Sequence, residues 1–370
     1  MKSAILIFLV GLLISWICIS STVQAEIKVG IAGPLSGSAF TVGEQQEFGA
    51  QVAIDHLNDE GGLLGEKIVT ISVDDACEPR PAEAAARLLV NEGVVFVIGH
   101  VCSSCALAAS KIYEEAGIIM MTPSASNPKV TDEGGPNIFR ANGRDDQQGV
   151  IAGNYLADNY SNNNIAIIHD GQAYGMGLAE FTKHQLNKRG VTEVMFDSYR
   201  PDEKDYHSVV ERLVNKKTDV LYAGGYQNDI AIILRQVKKQ LPDLRLVSGD
   251  SLANAEFMFI AGKVGTGTHF TFGRDLRSRP ENESIISYFR DEHGFEPEGY
   301  TLYSYGVVQA WAQAVKQAGS FNTDAVINGL REGSFDTVLG KIGFDEKGDI
   351  TGVSNFVWYV FGEQKYMLAD

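Results

Sequence analysis

Five short stretches of this chain place hydroxyl, tyrosine and carboxylate side chains directly after apolar runs. His100-Val101-Cys102-Ser103-Ser104 follows the run at 94–99, and Thr122-Pro123-Ser124-Ala125-Ser126 follows 118–121. His169-Asp170-Gly171-Gln172-Ala173-Tyr174, Gly224-Gly225-Tyr226 and Gly249-Asp250-Ser251 close three later runs. Ser103 stands where a helical pattern begins, so a hydroxyl and the free N–H groups of a first turn would point outward together, an arrangement suited to a small anion such as a carboxylate. Serines at the earlier run ends would then face tyrosines and a carboxylate at the later ones. This is the chemistry of holding a small polar molecule.

The elements that must position these residues alternate. Strand patterns fall at 27–30, 67–73, 94–98, 118–121, 165–169, 193–197, 220–223, 244–248, 269–272 and 355–361, with helical patterns at 43–58, 80–91, 103–116, 173–188, 205–215, 227–240 and 301–318. Apolar strands alternating with amphipathic helices predict βαβ units around sheets covered on both faces. In open α/β sheets ligands bind beyond the carboxyl ends of the strands, which is where the five stretches lie. The rhythm restarts after Arg140, so the chain is expected to divide around 143–146 into two doubly wound sheets of comparable size. Periodicity does not say how often the chain crosses between them.

Length supports that division, because 370 residues exceed what one core usually serves. Lys+Arg 31 against Asp+Glu 47 leaves a net charge of −16, which argues against gripping nucleic acid or docking on anionic lipid. Met1-Lys2-Ser3, an apolar run over 4–19 and the small-x-small ending Val23-Gln24-Ala25 read as a secretory signal peptide cleaved after Ala25, too short for a membrane span. Export permits disulfides. The remaining Cys77, Cys102 and Cys105 fit one structural bridge, with Cys77–Cys102 favoured, although Cys102-x-x-Cys105 is also the spacing of a redox dithiol or half a zinc site.

Enzyme signatures are missing: there is no G-x-x-x-x-G-K-[ST], no H-E-x-x-H and no G-x-S-x-G. The histidines at 56, 100, 169, 184, 207, 269 and 293 are scattered without metal-ligand spacing. Asp74-Asp75 reads as a strand end that caps its turn rather than as a catalytic pair.

Asp74-Asp75-Ala76-Cys77-Glu78-Pro79, Ile98-Gly99-His100-Val101-Cys102-Ser103-Ser104 and Met121-Thr122-Pro123-Ser124-Ala125-Ser126 together resemble the Leu/Ile/Val-binding proteins, as do Tyr174-Gly175-Met176-Gly177, Glu203-Lys204-Asp205-Tyr206, Gly224-Gly225-Tyr226 and Phe344-Asp345-Glu346-Lys347-Gly348-Asp349. These are periplasmic components of branched-chain amino-acid ABC transporters, and the likeness runs in order over residues 26–370. It implies the α/β type I periplasmic-binding fold, two doubly wound lobes joined by a three-strand hinge. The expected lobes are 26–144 plus 274–355 and 145–273 plus 356–370. It implies the Cys77–Cys102 disulfide, no catalysis, no cofactor and no metal. The partners implied are a small amino-acid ligand and an inner-membrane permease with its ATPases, with the protein a periplasmic monomer. Position by position, Ser103, Ser124 and Ser126 match the family's contacts to the ligand carboxylate, and Asp250 matches the glutamate that pairs with its ammonium. Tyr174, Tyr226 and Tyr305 match cleft walls. Val42 stands in place of a wall tyrosine, Ser124 in place of alanine, and Cys105 in place of serine. A ligand-sensing module, a binder of another neutral amino acid and a thiol oxidoreductase using Cys102 and Cys105 are the competing expectations.

Overall fold

In the computed structural model, which describes residues 26–353, 356–363 and 365–369, the early apolar runs form β1 (Glu26–Gly33), β2 (Lys67–Asp74), β3 (Phe96–Gly99), β4 (Ile119–Thr122) and β5 (Ile138–Arg140). They make one parallel sheet in the order β2-β1-β3-β4-β5. Their connections are α1 (Phe40–Asp59), α2 (Pro79–Glu92), α3 (Ser103–Ala116) and the single turn α4 (Lys129–Asp132). The signal-peptide expectation for residues 1–25 lies outside the described residues.

The chain then enters α5 (Asp145–Tyr160) and a second set of βα units. These are β6 (Ile165–His169), α6 (Ala173–Lys188), β7 (Met195–Ser198), α7 (His207–Asn215), β8 (Val220–Gly224), α8 (Gln227–Val237), β9 (Arg245–Ser248), α9 (Glu256–Ala261) and β10 (His269–Phe272). Strands β7-β6-β8-β9-β10 repeat the order of the first sheet, so both sheets reverse direction next to their first strand. That reversal opens a crevice at the carboxyl ends of β1 and β3 in one sheet and of β6 and β8 in the other.

After β10 the chain returns to the first sheet. It adds α10 (Glu283–His293), α11 (Thr301–Ala318), α12 (Thr323–Glu332), and a three-stranded antiparallel patch of β11 (Phe335–Thr337), β12 (Gly340–Phe344) and β13 (Ile350–Thr351). Helix α11 lies against α1, and Trp311 stacks on Phe96 of β3 with ring centroids 4.6 Å apart, while α2 and α3 pack together. A last passage reaches β14 (Val357–Phe361) and β15 (Tyr366–Leu368), which extend the second sheet antiparallel beside β10. The second sheet is therefore mixed and larger, seven strands against five. The periodicity reading did not anticipate β5, β11–β13 or β15, all of three residues or fewer except β12, nor α5, α10 and α12.

Between the sheets the passages are clasped. Arg140 is fully buried, and its Nε donates to Asp349 Oδ1 at 2.9 Å while Arg144 Nη1 donates to Asp349 Oδ2 at 2.7 Å. Burial alone would raise the Asp349 carboxyl, yet the two guanidiniums hold it below its usual range. Among the described residues no helix is long and apolar enough to cross a membrane.

Candidate functional site

The two sheets present their carboxyl ends to each other, and the side chains there meet around a small cavity. Val42, Val101, Ser103 and Ser124 come from the first lobe, Tyr174, Tyr226, Asp250 and Ser251 from the second, and Tyr300 stands between them. The cavity measures about 20 Å³, room for about one water. A larger guest must enter while the lobes stand further apart.

Backbone close approaches build each rim. Gly99 ends β3 with φ 138°, where a Cβ would meet Ala32 O at 2.1 Å, and Gly225 follows β8 with φ 147°, where a Cβ would meet Tyr199 Oη at 2.0 Å. Only glycine fits either place. The chain turns at once from Gly99 into the first turn of α3, with Cys102 as its cap and Ser103 as its first residue. The opening N–H groups of α3 have no intrahelical acceptors and carry the positive end of the helix dipole. Ser103 Oγ accepts from Asn127 N at 3.2 Å, and Ser124 Oγ donates to Val101 O at 3.2 Å. This end of the cavity is lined by serine hydroxyls and the start of a helix.

Opposite it lies an acidic end. Asp250 is 2% exposed, and its Oδ1 accepts from Gln148 Nε2 at 2.9 Å and from Tyr174 Oη at 2.7 Å, while Oδ2 accepts from Tyr300 Oη. Gln148 is itself fixed, its Oε1 accepting from Asp250 N at 3.0 Å and from Thr271 Oγ1. Asp145 at the start of α5 is fully buried next to this group and also accepts from Gln148 Nε2, at 3.4 Å. Burial raises both carboxyls above their usual range, and the Asp250 charge raises Asp145 further. The rings of Tyr174 and Tyr226, with centroids 5.4 Å apart, wall the space between the two ends, and Val42 faces it from α1 at 3% exposure.

Direct bonds hold the lobes shut. Ala173 N donates to Ser104 Oγ at 3.1 Å, and Asn127 Nδ2 donates to Ala173 O at 2.6 Å, so the first residue of α6 is tied twice to the first lobe. Tyr300 closes the other side through Asp250. A larger hollow of about 290 Å³ lies outside Tyr300 against the crossings; of its charged walls, Arg144 and Asp349 are paired with each other and Asp345 accepts from the backbone of Lys347 and Asp349.

Two sequence expectations need correction. Tyr305 is no cleft wall: its hydroxyl lies 2.8 Å from His56 Nδ1, on the side of α11 that packs on α1. Tyr300 takes that place. Ser126 does not line the cavity; its carbonyl accepts from Asp145 N at 2.9 Å and its hydroxyl faces the Asp145 carboxylate, so it serves the acidic end. Tyr300, Asp145 and Gln148 were not anticipated at all.

The cysteines resolve the competing readings of Cys102-x-x-Cys105. Cys77 and Cys102 are bonded, with Cα atoms 5.5 Å apart, and join the end of β2 to the cap of α3. Cys105 is buried, and desolvation together with the Asp75 and Glu78 charges pushes its thiol up. Asp74 and Asp75 cap their turn: Asp74 Oδ1 accepts from Leu35 N and Ala76 N, and Asp75 accepts from Cys77 N and pairs with His100 Nδ1 at 2.6 Å.

Comparison with known proteins agrees with this architecture. The family model described as periplasmic binding protein matches residues 26–361. The chain is 40% identical over 353 residues, 95% of each chain, to Leu/Ile/Val-binding protein homolog 1 of Brucella suis. It is 36% identical over 336 residues, 90% of this chain and 89% of the other, to a leucine-, isoleucine-, valine-, threonine- and alanine-binding protein of Pseudomonas aeruginosa. Among solved structures, a leucine binding protein of Thermotoga maritima superposes with a TM-score of 0.84 at 23% identity, over 93% of this chain and 98% of the other. A Streptococcus pneumoniae branched-chain amino acid transporter substrate binding protein in complex with isoleucine gives 0.81 at 23% identity, over 92% and 97%. The fold is that of the type I binding proteins, and the chain belongs to the periplasmic binding protein family.

Proposed function

We propose that this protein is the extracytoplasmic solute-binding component of an amino-acid ABC importer and closes on leucine, isoleucine or valine between its lobes. The observation that carries the reading is the polarity of the cavity: the open end of α3 with Ser103 and Ser124 faces Asp250, with Asp145 buried beside it, across a gap walled by apolar and aromatic side chains. An α-amino acid has a carboxylate and an ammonium on adjacent carbons, so it answers both ends at once. Only the closed form engages both, so the ligand stabilises closure. The names of the relatives support branched aliphatic side chains, and Val42 and the Tyr174–Tyr226 pair supply an apolar wall for them.

In this reading the lobes are 26–144 with 274–355 and 145–273 with 356–370, and residues 1–25 direct export. The monomer hands its ligand to an inner-membrane permease driven by ATPases and performs no chemistry itself. Calorimetric titration with the twenty amino acids, after unfolding and refolding to strip co-purified ligand, tests it. One-to-one binding confined to Leu, Ile and Val is expected. Preference for another neutral amino acid would move the specificity to Val42 and Ser124, and no binding by a folded sample would overturn the reading.

A further inference from the structure

The acidic end of the cleft holds more carboxylate than counter-charge. Asp145 and Asp250 are both buried and both accept from the single nitrogen Gln148 Nε2, at 3.4 and 2.9 Å. That shared donor keeps them close enough for like charges in a dry pocket to repel strongly. The other donors to Asp250 are neutral hydroxyls, Tyr174 from α6 and Tyr300 from the start of α11. Around the pair stand further tyrosines, Tyr222 of β8 and Tyr303 of α11, and another acid, Asp146. Among the described residues the cations beside this group are Arg144, which pairs with Asp132, Asp146 and Asp349, and Arg140 of β5, which is also engaged elsewhere. Its Nε and Nη2 donate to Asp349, Nη2 also to Thr131, and Nη1 to the carbonyls of Ala125 and Asn127. Among the described residues Asp145 Oδ2 has no hydrogen-bond partner, and neither has the Ser126 hydroxyl that faces this carboxylate.

We propose that the Asp145–Asp250 pair holds one proton while the cleft is empty and releases it to solvent when an ammonium group takes the seat, so that binding of a zwitterion is coupled to loss of a proton. The step balances: one carboxylic acid O–H ionises to carboxylate and a solvated proton, and the arriving ammonium keeps its own three hydrogens and supplies the missing positive charge. Asp145, Gln148 and Asp250 belong to one lobe in this reading, so the two carboxylates stay together on their shared donor when the lobes part, and one proton is the least rearrangement that relieves their repulsion. The direction in which burial and mutual repulsion move both carboxyls agrees. The inference rests on the amino-acid reading above and goes beyond it by assigning the free state of the site.

Titration of the exported protein with leucine, by calorimetry at pH 6, 7 and 8 in phosphate, imidazole and Tris, tests it. Buffers differ in the heat they take up with a proton, so release appears as an apparent enthalpy that changes with buffer. The expected slope approaches one proton released per leucine at the lowest pH, with Kd tightening toward tenfold per pH unit while the pair stays protonated. In Asp145→Asn the buffer dependence should fall to near zero, whatever the change in affinity. If that variant fails to fold, the wild-type slope decides alone. Leucine binding with no buffer dependence at any of the three pH values would overturn the proposal and leave the amino-acid reading standing. Failure of folded protein to bind any amino acid would overturn both.

Discussion

Replacing Asp250 with Asn keeps the size of the side chain and removes its charge, which separates what the residue does for a ligand from what it does for the fold. In the closed protein its carboxylate accepts from Gln148, Tyr174 and Tyr300. An Asn oxygen can keep the Gln148 and Tyr174 bonds, and the Tyr300 hydroxyl can rotate to accept from the new amide. The fold therefore loses little, and it sheds a charge that burial and Asp145 both disfavour. A bound ammonium, by contrast, loses a buried, hydrogen-bonded counter-ion, a change that costs about 3 kcal/mol, or roughly a hundredfold in Kd. Calorimetric titration with leucine at pH 7.5, paired with thermal melts of the ligand-free proteins, reads both effects. A large loss of affinity together with an unchanged or higher melting temperature is expected. Affinity within about threefold of the parent would show that the ammonium is held elsewhere; a large drop in melting temperature would show that Asp250 is chiefly structural.

Tyr300→Phe should weaken leucine binding by about 1 kcal/mol through loss of one hydrogen bond at Asp250, whereas Tyr305→Phe should leave affinity unchanged and cost about 1 kcal/mol of stability through its lost bond to His56; equal effects on binding would contradict the assignment of Tyr300. Removing the Cys77–Cys102 bridge with Cys77→Ser and Cys102→Ser should lower unfolding free energy in urea by about 3.5 kcal/mol, and a loss under about 1 kcal/mol would mean the loop is ordered without it. Burial raises Asp170 to about 7 and Asp229 to about 6, both above the ordinary value of 3.8. A raised carboxyl favours the fold only while protonated, so this contribution is complete below about pH 4 and is lost as pH rises through 6 to 7. The ligand-free melting temperature should fall between pH 5 and pH 8, with a shallower fall in Asp170→Asn; a flat or rising profile in the parent would refute the assignment.

Most positions that sequence reading placed in this cavity follow a strand directly, Val42 on α1 being the exception. Ser103, Ser124, Tyr174, Tyr226 and Asp250 sit at the carboxyl ends of β3, β4, β6, β8 and β9, where an apolar run announces the strand and the next few residues must face the crevice. Five helices and strands, α3, α6, α11, β6 and β10, were legible to the residue, and α3 and α11 end at Gly117 and Gly319. What stayed hidden is what tertiary closure supplies. Asp145 and Gln148 lie on α5, which is weakly amphipathic: it packs on α6 and also turns Gln148 to Asp250 and Thr271. Tyr300 and Tyr305 look alike in sequence, yet five residues along a helix turn the side chain by roughly 140°, so one meets the cleft and the other meets α1. The short strands β5, β11 and β13 carry too few residues for a period to show, and β14 and β15 join the second sheet antiparallel, against the βαβ rule that predicted the rest.

The orientation of a bound ligand decides whether the serine end and Asp250 hold its two charges as proposed. A crystal structure of the protein with leucine should place the carboxylate on the first turn of α3 beside Ser103 and Ser124, and the ammonium within hydrogen-bond distance of Asp250, with the isobutyl group against Val42, Tyr174 and Tyr226. A leucine bound the other way round, or outside this cavity, would contradict the account.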